Sequence, residues 1–143
     1  MDKSSDELII EAKLENLDTV VDFIDTKITN CKNCSIKTQN QIKIAIDEIF
    51  SNIVRYAYSP EVGNVVVRIA TTDEAIVIEF EDNGIPYNPL TQEAPNVSLS
   101  IDEREPGGLG IFLVKNIMDT VEYRYINNTN IFIIKKYLGK NND

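Results

Sequence analysis

Two pairs of β-branched runs, each pair joined by four polar residues, constrain this chain more than any other feature. "NVVVRIA" (64–70) and "AIVIEFED" (75–82) flank "TTDE", while "VEYRYI" (121–126) and "IFIIKKYL" (131–138) flank "NNTN". Alternating apolar residues in runs this close together predict two antiparallel hairpins. "ELIIEAK" near the start is short and apolar and adds a strand. Helical periodicity fills the stretches between. Leu17, Val20, Val21, Ile24 and Ile28 recur at helical spacing, with Asn16 or Asp18 as the cap. A second helix over 37–58 aligns Ile42, Ala45, Ile46, Ile49, Ile53 and Ala57, is capped by Thr38, and is stopped by Pro60 and Gly63. A third follows Gly107, Gly108 and Gly110, with Ile111, Val114 and Met118 on one side. Helices and strands are segregated instead of alternating as β-α-β units. The expectation is an α/β (α+β) two-layer sandwich: a mixed, largely antiparallel sheet with helices on one face.

A length of 143 residues, 43% of them hydrophobic and 26% charged, suits one compact domain with a full core. Acidic residues outnumber basic ones 23 to 14, a net charge of -9, which argues against a broad surface for nucleic acid. No basic leader precedes an apolar run, and no uncharged apolar stretch reaches membrane-spanning length, so the chain reads as a soluble cytoplasmic protein. Cys31 and Cys34 in "CKNC" have the spacing of redox and zinc sites. Zinc would need two more ligands, and the chain has no histidine and no second cysteine pair. Redox chemistry favours the start of a helix after a strand, whereas this pair follows a helix, so both read as ordinary thiols. The termini, about 1–5 and 140–143, read as flexible. Residues 83–107 lose periodicity and hold Gly84, Pro86, Pro89, Pro95, Pro106 and Gly107. So long a stretch inside a compact domain reads as a functional lid, from about residue 85 to 107.

Glu48, Asn52 and Arg55 fall at i, i+4 and i+7 of the second helix, a polar line on an apolar element. A solvated face is the plain explanation. The chemical one has the Asn52 amide oxygen bind magnesium, which takes few protein ligands, while the Glu48 carboxylate accepts a proton from a reacting hydroxyl. Asp82, Asn83 and Gly84 are good turn residues. Equally, the Asp82 carboxylate suits an exocyclic amine of a base, with Gly84 letting the backbone pass close to the ring. The glycines before the third helix either make a turn or let main-chain N–H groups cradle an anion. They lack the Lys-Ser/Thr ending of a P-loop.

Taken in order, "EIFSN" (48–52), "DNG" (82–84), a long lid and "GGLG" (107–110) resemble the GHKL ATP-binding superfamily of gyrase-type topoisomerases and sensor histidine kinases. Within it, "DEIFSNIVRYAY", "GGLGIFLVKNIMDTVEY" and "NTNIFIIKKYL" look most like the bacterial anti-sigma factor serine/threonine kinases, a likeness running from about residue 5 to 139. The resemblance implies ATP held with Mg2+ between the helix layer and the lid. It makes Glu48 the general base, Asn52 the magnesium ligand, and Asp82 with Gly84 the adenine contact. Gly108, Leu109 and Gly110 match the turn that opens helix N–H groups to phosphates, and Thr129 matches a threonine near the adenine. Some of these kinases place an arginine just before the glycines to reach the terminal phosphate. Pro106 occupies that neighbourhood here, and Arg104, the nearest arginine, inherits the role. Implied partners are a small anti-sigma-factor antagonist of the STAS type and a sigma factor or similar regulator, with a homodimer as the usual assembly. A nucleotide-dependent binding switch without phosphoryl transfer is the competing function. A detached histidine kinase domain ranks behind both, because the chain holds no phospho-accepting histidine.

Overall fold

The computed structural model describes residues 4–31, 33–58, 62–91 and 108–139. Its strands are β1 (Ser4–Glu11), β2 (Asn64–Thr71), β3 (Ala75–Asp82), β4 (Thr120–Ile126) and β5 (Thr129–Tyr137). Its helices are α1 (Leu17–Thr29), α2 (Ile36–Tyr56) and α3 (Gly108–Ile117). The strands form one sheet in the order β1-β2-β3-β5-β4. Every neighbouring pair is antiparallel, so among the described strands the sheet is not mixed, as the sequence suggested, but wholly antiparallel. The reason lies in the connections. Two helices between β1 and β2 return the chain in the opposite sense. The single strand-helix-strand passage, from β3 through α3 to β4, does leave two strands running the same way, but β5 lies between them.

The helices lie on one face, where Val20, Ile24, Ile46, Phe50 and Val114 share a buried cluster with Ile69, Ile78, Phe80 and Ile134 of the sheet. Ser35, not Thr38, caps α2: its backbone is extended, and its hydroxyl accepts from the Thr38 N–H at 3.0 Å. A cap of this kind is worth about 1 kcal/mol. Asn16 does occupy the position before α1, but its side chain makes no cap bond and donates instead to the Glu11 carbonyl at 2.9 Å. The β4–β5 turn is made by Asn127 and Asn128 at φ 53° and 62°, the left-handed pair that a two-residue hairpin turn requires.

Side chains alternate across a strand, so the burial of Ile76, Ile78 and Phe80 also sends Asp82 to the helix side. By the same parity Asn130 joins Phe132 and Ile134 on that side, and the register sets Asn130 opposite Asp82. On the outer face Arg68 bonds Glu7 at 2.7 Å, Glu79 at 2.8 Å and Glu81 at 2.5 Å, a lateral tie across three strands. Such part-exposed pairs are worth at most about 1 kcal/mol each.

Cys31 lies beyond α1, where its thiol donates to the Thr72 carbonyl at 3.8 Å, and neighbouring Asn33 reaches the Asp73 carbonyl at 3.2 Å. Burial, helped by Asp73, pushes the Cys31 thiol up, the reverse of what a reactive thiolate needs. Among the described residues no helix is long and apolar enough to cross a membrane.

Candidate functional site

A cavity of about 400 Å³, counting its open mouth, lies where the C-terminal half of α2 meets the ends of β3 and β5. Ile49, Asn52, Ile53 and Tyr56 of α2, with Ala57 at its C-terminal end, line one side. Asp82, Tyr123, Asn130 and Phe132 form the sheet wall, and Ile85, Tyr87 and Pro89 of the loop after β3, with Ile111 of α3, complete it. The Tyr56 and Tyr87 rings stack with centroids 4.7 Å apart, an aromatic flank that links the helix to the loop.

Asp82 is 5% exposed. Its Oδ1 accepts from the Gly84 N–H and from Asn130 Nδ2, both at 2.9 Å. Burial pushes its carboxyl above the ordinary range, and the two hydrogen bonds offset part of that rise. Gly84 is needed for a reason the sequence did not disclose. A Cβ there would stand 2.2 Å from the Ala57 carbonyl oxygen, and that same oxygen accepts from the Ile85 N–H at 3.0 Å. The missing side chain thus lets the loop seat against the end of α2. Gly84→Ala is expected to cost about 1–3 kcal/mol because backbone, not a movable side chain, is in the way; an unchanged melting temperature would show that the turn relaxes freely.

Asn52 is 4% exposed and therefore not on a solvated face. Arg55 donates to its Oδ1 at a long 3.4 Å, and its Nδ2 has no hydrogen-bond partner. A buried amide with unmet hydrogen-bonding capacity in a cavity wall is costly unless a ligand group completes it. Among the described residues no three Cys, Asp or Glu side chains cluster as a metal cage. Of the Asn52 amide, Oδ1 is the atom able to hold a divalent ion, at the expense of its long contact with Arg55, whereas the orphaned Nδ2 donates and suits a phosphate oxygen.

Glu48, one turn before Asn52, is half-buried, and a Cβ on Gly110 would lie 1.7 Å from its Oε1. Gly110 therefore lets the first turn of α3 close onto this carboxylate. Burial, then Asp47, raises the Glu48 carboxyl, and Arg55 lowers it. Gly108 and Leu109 belong to the same turn of α3. Arg104, Pro106, Gly107 and most of the expected lid fall outside the described residues.

Thr129 is not in the cavity wall. Its hydroxyl accepts from Asn83 Nδ2 at 3.1 Å and donates to the Asn127 carbonyl at 3.2 Å. Strand parity turns it to the opposite face from Asn130, which takes the place beside Asp82. Sequence reasoning passed over Asn130, Tyr123, Tyr56 and Tyr87. For Asn130 the signal was present, since it shares parity with the buried Phe132 and Ile134.

The chain matches the histidine kinase-like ATPase domain over residues 10–136. It is similar to the serine-protein kinase RsbW of Bacillus mycoides (strain KBAB4), 23% identical over 133 residues that cover 90% of this chain and 82% of the relative. It is likewise similar to the serine-protein kinase RsbW of Bacillus cereus (strain AH187), 24% identical with the same coverage.

Proposed function

The chain belongs to the histidine kinase-like ATPase domain family, and from that premise we propose that it is a regulatory serine/threonine kinase that binds Mg-ATP. Its substrate in this reading is a small STAS-type antagonist protein, and it alternately sequesters a sigma factor or similar transcription regulator. The names of the similar Bacillus kinases support the activity class. The observation that carries the reading is the way these groups are brought together. Asp82 and Asn52 line one cavity, and Glu48, one helical turn before Asn52, stands against Gly110 in the first turn of α3; in this reading Asp82 takes the base and Glu48 lies toward the phosphates.

In the transfer step the serine or threonine oxygen bonds to the γ-phosphorus, the bond from that phosphorus to the bridging oxygen breaks, and ADP leaves. Glu48 takes the hydroxyl proton. Its raised carboxyl suits it as an acceptor matched to that task. A bound magnesium ion would neutralise phosphate charge, and Asn52 is the residue that would hold it. The first turn of α3, Gly108 to Gly110, faces the phosphates with main-chain N–H groups. Arg104 is assigned to the terminal phosphate from its place in the sequence. The protein works as a homodimer in this reading, and a monomer by sedimentation at micromolar concentration would remove that element.

The test is transfer of label from γ-labelled Mg-ATP to a serine or threonine of a STAS-type antagonist. Bound ATP without label on the partner would replace the kinase with a nucleotide-dependent binding switch. Absence of ATP binding would sink both.

A further inference from the structure

We propose that Asn130 is the positioning residue that makes the sheet wall of this cavity select a purine carrying a 6-amino group. This rests on the ATP reading above and goes further, since it names the side chain that sets the wall's hydrogen-bonding polarity. Asn130 is 5% exposed and fully committed. Its Nδ2 donates to Asp82 Oδ1 at 2.9 Å, to the Ile85 carbonyl at 2.9 Å and to the Gly84 carbonyl at 3.3 Å. Its Oδ1 accepts from the Tyr123 hydroxyl and from the Tyr87 N–H at 3.3 Å.

The direction of every bond follows from the inventory of donors and acceptors. An ionised Asp82 only accepts, so Asn130 must present Nδ2 to it. The amide oxygen then faces Tyr123, which must spend its single hydroxyl proton there. Asn130 has no donor left for a ligand. What remains for a base on this wall are acceptors: the second oxygen of Asp82 and the lone pairs of Tyr123. A 6-amino group finds a partner at the 6-position, whereas a 6-oxo group meets oxygen there, and its base must shift to offer N1–H instead. Two walls of the cavity are tied to the same amide, since Ile85 and Tyr87 belong to the loop and Tyr123 to β4. The titratable groups facing Asp82 are the Tyr58 and Tyr123 phenols, both raised by burial and hence uncharged at neutral pH.

The test compares ATP with inosine triphosphate, which carries a 6-oxo group in place of the 6-amino group and a proton on N1, in wild type, Asn130→Ala and Tyr123→Phe. Wild type is expected to favour ATP. Asn130→Ala should cut that preference by about tenfold or more, the usual effect of losing a hydrogen bond to a charged group. Tyr123→Phe keeps the backbone and Asn130 in place, so it covers the case in which Asn130→Ala does not fold, and it should reduce the preference in the same direction. A nucleotide-free readout stands beside these. The Asp82 carboxyl, followed by carbon NMR, should titrate at higher pH in Asn130→Ala, because a bond that favours the ionised form is gone. Unchanged base preference in both variants, or an unmoved Asp82 midpoint, overturns the proposal. Wild type that binds neither nucleotide fails the ATP reading itself, an outcome distinct from wild type that binds ATP and variants that discriminate as well as it does.

Discussion

Replacing Glu48 with glutamine is expected to leave Mg-ATP bound while slowing phosphoryl transfer by about 10²–10⁴-fold, the range ascribed to a positioned proton acceptor. The amide fills the same space beside Gly110 but takes no proton. The sign of the pH dependence follows from the direction of the shift. Burial and Asp47 favour the protonated Glu48, and only the ionised form accepts a proton. Wild-type transfer should therefore rise with pH through a midpoint above the ordinary carboxylate range, and the residual rate of Glu48→Gln should lack that rise. Gly110→Ala makes a second arm. Its Cβ would fall 1.7 Å from Oε1 and 2.2 Å from Cδ of Glu48, and the flexible end of a side chain yields before a helix does. Transfer should fall with little change in melting temperature. Single-turnover rates across pH, with nucleotide affinity measured in parallel, decide the matter. A Glu48→Gln protein that transfers at the wild-type rate would remove Glu48 from the chemistry.

What was legible in the sequence and what was not divides along the range of the interactions involved. Periodicity is local, so α1, α2 and both hairpins stand where the apolar spacing put them, and the Asn-Asn turn at 127–128 carries its own conformational cause. Strand parity is equally local, and it sends Asp82 inward with Ile76, Ile78 and Phe80. Choosing between Ser35 and Thr38 as the cap of α2 is harder, because both are hydroxyl residues within one turn and the backbone angle at Ser35 decides. Asn130 shows the limit most clearly. That it points inward follows from parity, but that it meets Asp82 depends on the β3–β5 register between residues 48 apart. Asn52 looks like part of a solvated line in the sequence because charged neighbours flank it at i−4 and i+3. Its burial depends on segments distant in sequence, among them α3 packed on α2.

Asp82→Asn is expected to abolish useful ATP binding, lowering affinity by about 10²-fold or more, and at the same time to stabilise the nucleotide-free fold at neutral pH. The two effects share one cause. Asp82 is buried with both of its donors on Oδ1, and its carboxyl is raised by that burial despite the bonds from Asn130 and Gly84. A raised carboxyl means that the folded state holds its proton more tightly than the unfolded chain does. Stability is then highest with Asp82 protonated and declines as pH rises from the unfolded value through the folded one. An asparagine carries no such charge, so the melting temperature of the variant should exceed that of wild type at pH 8 and the gap should narrow toward pH 4. For binding, the oxygen of the substituted side chain would keep the two existing donors and its amide nitrogen would replace the second carboxylate oxygen in the cavity wall. That nitrogen only donates, so it faces the 6-amino group of ATP donor to donor, while the 6-oxo group of inosine triphosphate gains a partner. Base preference should invert, not merely weaken. Titration of both nucleotides into wild type and variant, with melts at pH 5 and 8, separates the outcomes. Unchanged ATP affinity would remove Asp82 from the base site, whereas a less stable variant at pH 8 would mean that its hydrogen bonds outweigh the cost of its buried charge.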